Sequence, residues 1–324
     1  MEIVRQGHDD RFDEKFTRIC VHWDLMLLCN YKCSYCYARH QETYKHNWYS
    51  YPKKDMQFKI INAISKCPHP MNVGLLGGEP TLYPHFHEVL DYVEKKCGWN
   101  EKYGVPNYIY IVTNGSQTEQ WFKDLKASEN IALLWSFHVE FAEIEPFIKN
   151  LLIAEDKGIY NKVNILLHPN SKYWKKIEEI YFKCKDLNIK VHPHYVYKED
   201  PYHLWNYSPE FWEWSKKVFG EEERDLEFHE KKNDGLIVKH LFNDHEVYSK
   251  KINKFKGFTC MNSNYEIRSD GSIHMYCSEG ASNSILTNPN FFKDVKIKPM
   301  TCQYDFCNCD GLLKILKYKT DEYK

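Results

Sequence analysis

The sequence predicts an α/β protein of six consecutive β/α units followed by a small cysteine-rich β-hairpin, and three observations lead there. Apolar runs of strand length alternate with segments of helical period from residue 18 to residue 197, the pattern of repeated β/α units. The first apolar run leads into three cysteines, Cys29-Asn30-Tyr31-Lys32-Cys33-Ser34-Tyr35-Cys36. Near the C-terminus, alternating residues over Tyr265–Tyr276 surround Asp270-Gly271, with Cys260 before and Cys277 after. Such a segment reads as a hairpin with a tight turn, clipped at both ends by a metal-binding residue type.

Strands are expected over 18–27, 71–76, 107–113, 131–138, 161–168 and 188–197, with helices over 55–66, 84–96, 119–127, 143–156 and 171–186. Pro84 fits the opening of the second helix, because a first-turn proline loses no hydrogen bond, and Ser171 is a candidate N-cap of the fifth. After 197 the rhythm breaks. Residues 198–256 are rich in Trp, Glu and Lys and are expected as a helical insertion or linker. In it Phe211-Trp212-Glu213-Trp214 is expected to pack a helix against the barrel, and the charged run Glu221–Asp225 to be a solvated loop or helix end. The expected division is therefore 1–197, 198–256 and 257–324.

At 324 residues, 43% hydrophobic and 16% aromatic, the chain is long enough to bury one large core with at most a small appendage. Its 44 basic and 45 acidic residues leave a net charge of −1, which gives no global footprint for nucleic acid or an anionic membrane. The start Met1–Gln6 is polar, without the apolar core of a signal peptide, and no apolar stretch approaches membrane-spanning length. These features imply a soluble cytoplasmic protein. Twelve cysteines in that compartment point to metal or redox chemistry rather than a disulfide framework.

Three cysteines spaced C-x3-C-x2-C can bind three irons of a four-iron cubane and leave the fourth open to a substrate or cofactor. This spacing arises by chance in about 0.02 of chains with this cysteine content. A zinc knuckle completed by His40 is the alternative at this point. About forty residues downstream, Val73-Gly74-Leu75-Leu76 ends in Gly77-Gly78-Glu79-Pro80. With Tyr35 preceding Cys36, these segments resemble the radical S-adenosylmethionine (SAM) superfamily, where C-x3-C-x-aromatic-C follows the first barrel strand and a GGEP-type segment follows the second.

The resemblance implies a partial (β/α)6 barrel. It makes Cys29, Cys33 and Cys36 the ligands of a 4Fe–4S cluster whose open iron chelates SAM. It places Gly77, Gly78, Glu79 and Pro80 at the methionine end of SAM and Tyr35 by the adenine. Polar residues recur two apart on several strands: His22 and Asp24, Ser136 and His138, His192 and His194, with Asn164 and His168 also aligned. Side chains two apart share a face, so these are candidates for a polar lumen. In the resembling family, polar residues of the fourth and fifth strands meet the SAM carboxylate and ribose, which makes Ser136 and Asn164 the candidates here. Thr113-Asn114-Gly115 also matches a common segment of that family.

The last 65 residues hold Cys260, Cys277, Cys302, Cys307 and Cys309. They resemble the twitch or SPASM extension of radical SAM enzymes, which implies an auxiliary 4Fe–4S cluster held by Cys260, Cys277, Cys307 and Cys309, with Cys302 competing for the fourth place. A full SPASM extension has seven cysteines and two clusters, so five cysteines saturate only one. A structural zinc site on the same thiolates is the alternative. Cys20, Cys67, Cys97 and Cys184 are expected as buried apolar residues.

The function implied is reductive SAM cleavage to a 5′-deoxyadenosyl radical, driven by an electron donor such as flavodoxin or ferredoxin, with hydrogen abstraction from a peptide or protein substrate. The cysteine run begins at Cys29 with no room before it for a leader-binding domain, which brings a small metabolite, nucleotide or nucleobase into equal consideration. A non-catalytic metal-binding barrel is the reading of another class.

Overall fold

The computed structural model describes residues 18–36, 51–197, 204–220, 226–231, 236–275, 283–296, 298–305, 307 and 317–319. Six strands alternate with helices, as the pattern of apolar runs requires: β1 Ile19–Met26, β2 Met71–Gly77, β3 Tyr108–Thr113, β4 Ile131–Phe137, β5 Tyr160–Leu167 and β6 Lys190–Tyr195. Helices α1 Lys54–Ile64, α2 Phe86–Cys97, α3 Glu119–Asp124, α4 Ile144–Asp156 and α5 Trp174–Asp186 lie between them. All six strands pair in parallel in sequence order.

The strand sequences explain the two-layer arrangement. In β1 the odd positions Ile19, Val21, Trp23 and Leu25 have no solvent exposure, and the same parity recurs in Val73 and Leu75, Ile109 and Ile111, Leu133, Trp135 and Phe137, and Val163, Ile165 and Leu167. This face meets helices whose apolar residues recur at spacings of three and four: Phe86, Val89, Leu90 and Val93 on α2, Ile144, Phe147, Ile148 and Leu151 on α4, Ile177, Ile180, Tyr181 and Cys184 on α5. A strand buried by helices on one side and lumen on the other reads as nearly continuous apolar sequence. The even face is the inner one and carries the polar residues.

Two helix starts differ from expectation. Helix α2 begins at Phe86, two residues beyond Pro84. Ser171 opens a 3-10 turn, Ser171–Tyr173, capped by the Asn170 side chain, and α5 starts only at Trp174. The Asn170 carboxamide accepts from the Lys172 N–H at 3.0 Å, so it takes the capping role.

The C-terminal hairpin joins the barrel rather than standing apart. Strands β10 Asn264–Ile267, β11 Ser272–Met275 and β12 Asn283–Ser284 extend one nine-stranded sheet in the order β12-β11-β10-β1-β2-β3-β4-β5-β6. β10 lies parallel to β1, from Cys20 opposite Asn264 to Trp23 opposite Ile267. It thereby satisfies the main-chain groups of an edge that β1 would otherwise expose.

The segment expected to be helical contains α6 Pro209–Phe219 and α7 Asp244–Ser249, but also an antiparallel strand pair, β7 Leu226–Lys231 and β8 Ile237–Phe242. The β-branched and aromatic residues of Ile237–Phe242 explain the strand. With β9 Phe258–Asn262, β13 Lys298–Thr301 and β14 Lys317–Lys319 they form a second sheet, β8-β7-β14-β9-β13. The Trp cluster packs on the barrel as expected: Trp214 stacks on Trp174 at 4.8 Å and Trp212 on Tyr195 at 5.5 Å. Glu221–Asp225 lies outside the described residues.

Candidate active site

The parallel strands all end on one rim, and the chain's chemistry-bearing residues collect there. The Cys29–Cys36 loop leaves β1 and folds into a turn, with the Cys36 N–H donating to the Cys33 carbonyl at 3.2 Å. Cys33 is buried, while Cys29 and Cys36 are partly so. Burial pushes the Cys29 thiol up to about 11 and the Cys33 thiol up to about 12, and the neighbouring cysteines add to both shifts. Burial thus disfavours the thiolate form in this loop, and a cationic metal centre would offset that penalty. Three soft sulfur donors on one loop suit an iron–sulfur cluster. His40, the fourth ligand of the zinc alternative, lies outside the described residues.

The glycine pair fits the loop by close backbone approach. Gly77 has φ +126°, and a Cβ there would stand 1.9 Å from the Met26 carbonyl oxygen. A Cβ on Gly78 would stand 2.4 Å from the carbonyl oxygens of both Leu27 and Leu28. The Gly78 N–H donates to the Met26 carbonyl at 2.8 Å and the Glu79 N–H to the Leu28 carbonyl at 2.9 Å. The GGEP backbone is thereby fastened to the chain that carries the cysteines.

Glu79 does something the motif alone did not reveal. The residue is 1% exposed, and its carboxylate accepts from the Thr81 N–H at 3.2 Å, the Thr81 hydroxyl at 2.5 Å, the Thr113 hydroxyl at 2.8 Å and the Asn114 N–H at 2.6 Å. It ties the end of β2 to the end of β3, so what Glu79 and the buried Pro80 offer toward a cofactor is main chain. Asn114 in turn points its amide to Asn30 Oδ1 at 2.9 Å and toward Cys29 Sγ at 3.9 Å. The Thr113-Asn114-Gly115 segment is thus part of the cysteine-loop support.

Burial raises the Glu79 carboxyl above its ordinary value, against the pull of its hydrogen bonds. Between the ordinary and the raised value the folded chain holds more proton than the unfolded chain, so this group's contribution to stability is greatest below that window and falls as pH rises through it. Glu79→Gln is expected to flatten that segment of the stability–pH curve. Glu79→Ala strands several buried donors and is expected to cost about 3–5 kcal/mol. Urea unfolding across pH measures both.

Within the loop, Tyr35 is buried and stacks on His138 at 5.9 Å, and its hydroxyl stands 3.0 Å from His138 Nδ1. Cys33 Sγ is 3.4 Å from the same nitrogen. Desolvation, with a smaller contribution from His194, pushes the His138 imidazole down to about 4, so it is neutral at physiological pH. Two residues below His138 on the inner face of β4 is Ser136, whose register partner on β5 is Asn164. Asn164 is in turn opposite His192 on β6. The structure therefore brings Ser136 and Asn164 side by side on the lumen wall beneath the cysteine loop.

The remaining lumen candidates fall in two places. His192 and His194 have their rings 6.4 Å apart on β6. His22 is 3% exposed, and its Nδ1 lies 3.2 Å from the Tyr110 hydroxyl. Gly74 makes that reach possible: a Cβ there would stand 2.3 Å from the Tyr110 ring. Sequence reasoning missed Tyr110, Asn30 and Glu140. An inward-facing polar tip opposite a strand glycine was the available signal for Tyr110, and a carboxylate just past a strand end was that for Glu140.

Of the second cysteine set, Cys260, Cys302 and Cys307 are described, and Cys277 and Cys309 lie outside the described residues. Cys260 is opposite Met300, and the Cys302 N–H donates to the Phe258 carbonyl at 2.8 Å. Cys260 and Cys302 therefore share one face of the second sheet. Cys302 and Cys307 are both buried in a small core with Val247 and Phe255. Among the described residues no three His, Cys, Asp or Glu side chains converge on a single-ion position. Cys20, Cys67, Cys97 and Cys184 are buried as expected. Among the described residues, no helix is long and apolar enough to cross a membrane.

The sequence model of the radical SAM superfamily matches residues 25–190. A structure of anSMEcpe with bound AdoMet is similar at a TM-score of 0.56 and 17% identity, over 90% of this chain and 80% of that one. The structure of anSMEcpe with AdoMet and the Cp18Cys peptide gives 0.53 and 17%, over 86% and 78%. Streptococcus suis SuiB gives 0.52 and 16%, over 86% of this chain and 66% of its own. No curated protein matches significantly.

Proposed function

Because the chain belongs to the radical SAM superfamily, a family of enzymes whose sequence model covers more than half of it, we propose that it modifies a peptide or protein by radical chemistry. The observation that carries this reading is the convergence of Cys29, Cys33 and Cys36 with the Gly77–Pro80 backbone on one strand rim. When bound, a 4Fe–4S cluster and SAM would supply a 5′-deoxyadenosyl radical able to take a hydrogen atom from carbon.

The chain's own tasks are positional. Cys29, Cys33 and Cys36 hold the cluster; Gly77 and Gly78 with the Glu79 and Pro80 main chain hold the methionine end. Ser136 and Asn164 meet the polar groups of SAM from the lumen wall, and Tyr35 packs near its adenine. We assign the barrel to 1–197, an insertion to 198–256 whose β7 and β8 join the second sheet, and the auxiliary-site extension to 257–324, with β10–β12 serving both units. The reductant is a small electron carrier such as flavodoxin or ferredoxin. Peptide substrates are supported by the likeness to anSMEcpe, which has been seen with AdoMet and a peptide.

The test is anaerobic reconstitution followed by SAM, dithionite and candidate peptides. The expected result is about eight irons per chain, as two four-iron clusters require, and 5′-deoxyadenosine whose yield rises with peptide. A rise with nucleotides or small metabolites instead would replace the substrate class, and zinc without SAM cleavage would refute the reading.

The auxiliary site has its own test. The shared face of Cys260 and Cys302 and the shared core of Cys302 and Cys307 favour Cys302 as a ligand beside Cys260 and Cys307, with Cys277 and Cys309 completing the candidates. Cys302→Ser and Cys307→Ser are expected to lower metal content equally, by about four irons or one zinc. Full metal content in Cys302→Ser would make that residue a core side chain only.

A further inference from the structure

We propose that Glu140, held by His168, is a positioning residue that clasps the cysteine loop and supplies the fixed negative charge setting the reduction potential of a cluster bound there. The inference rests on the reading that Cys29, Cys33 and Cys36 hold an iron–sulfur cluster.

Glu140 lies three residues past the end of β4 and His168 directly follows β5. From these neighbouring strand ends both side chains reach Ser34, which sits in the turn between Cys33 and Cys36. The Ser34 N–H donates to Glu140 Oε2 at 2.7 Å, the short distance of a charge-assisted bond. His168 completes the clasp. Its Nδ1 accepts from the Asn170 N–H at 3.0 Å, which leaves the proton of the neutral ring on Nε2. That nitrogen stands 3.4 Å from Glu140 Oε1 and 3.4 Å from the Ser34 hydroxyl. The His168 carbonyl accepts from Trp174 Nε1 at 3.2 Å and the ring packs edge-on against Tyr173 at 4.4 Å, so the clasp is anchored on the helix side of the barrel.

Two properties follow. The first is geometric: the loop's central N–H is fixed by a side chain from another strand, which sets the spacing of Cys33 and Cys36. The second is electrostatic. The Glu140 and His168 side chains are only 12% and 8% exposed, so the carboxylate charge is weakly screened. A negative charge hydrogen-bonded to the residue next to Cys33 opposes the addition of an electron to a cluster held there and lowers its potential. The amide oxygen of Glu140→Gln can accept from the Ser34 N–H as a carboxylate does, so this variant keeps the loop bond while losing the charge and the His168 contact.

The experiment compares the full-length wild type, Glu140→Gln, Glu140→Ala and His168→Asn after anaerobic reconstitution. Iron and sulfide are counted, and the electron paramagnetic resonance signal that SAM perturbs is titrated against potential, which isolates this cluster from any second one. Glu140→Gln is expected to keep wild-type iron and to shift the potential upward, raising the ratio of reduced to oxidised cluster at a fixed donor potential about tenfold. Glu140→Ala is expected to lose iron from this site, and His168→Asn to lose less. An unchanged potential in Glu140→Gln overturns the electrostatic role, and full iron in Glu140→Ala overturns the clasp. A loaded wild type with indistinguishable variants sinks this inference alone, whereas a wild type with no SAM-responsive cluster sinks the cluster reading and this inference with it.

Discussion

Cys33→Ala is expected to abolish 5′-deoxyadenosine formation from SAM while leaving the fold near intact. Cys33 is 6% exposed, and replacing a small buried thiol by a methyl group costs about 1–2 kcal/mol at most by the usual large-to-small scale. The catalytic consequence is far larger, because two remaining thiolates, Cys29 and Cys36, cannot hold three irons of a cubane. Circular dichroism should match the wild type closely, urea unfolding of the two iron-free proteins should differ by no more than that cost, iron content should fall by about one cluster, and product should drop to background. Persisting SAM cleavage in this variant would refute the cluster assignment.

Gly77→Ala is expected to lose SAM cleavage and stability together. At φ +126° an L side chain is strained before any contact is considered, at about 1–3 kcal/mol. The new Cβ would also stand 1.9 Å from the Met26 carbonyl oxygen, a backbone atom with no rotamer to move. Relief requires β1 and β2 to separate where the Gly78 and Glu79 N–H groups meet the Met26 and Leu28 carbonyls, immediately before the cysteine loop. Thermal unfolding and iron content read the two effects. Gly104→Ala is the control: φ is also positive, at +63°, but nothing lies within 4 Å of its Cβ position, so backbone strain without a clash should leave SAM cleavage unchanged. Wild-type iron and cleavage in Gly77→Ala would show that the close approach is not needed.

The six β/α units were legible because their physics is local. β1 to β5 bury most of their odd positions against helices whose apolar residues repeat every three or four residues, and both periods are visible in the residue order. The cysteine run and the GGEP segment were legible for a related reason: each is a contiguous string whose spacing is itself the chemistry. The pairing of Ser136 with Asn164 followed from parity along two strands, once parallel register set them opposite each other.

Other features depended on contacts between distant segments. The C-terminal hairpin was readable as a hairpin, but nothing in Asn264–Met275 says that β10 would dock on β1. β7 and β8 stand in a segment whose tryptophans and charges suggested helix. The motif places the Glu79 main chain at the methionine end of SAM, but it does not say that its carboxylate accepts from Thr113 and Asn114, thirty-four and thirty-five residues away. Glu140 gave no sequence signal tying it to Ser34, 106 positions earlier.

The sequence by itself determined the class of fold, the soft-donor loop and the glycine pair, since periodicity and ligand spacing act within one turn or one strand. Only the tertiary structure decided which carboxylates brace the site, which sheet the hairpin completes and which cysteines of the second set share a face. Those outcomes depend on strand register and on which side chains meet across the rim, and neither is encoded in the order of neighbouring residues.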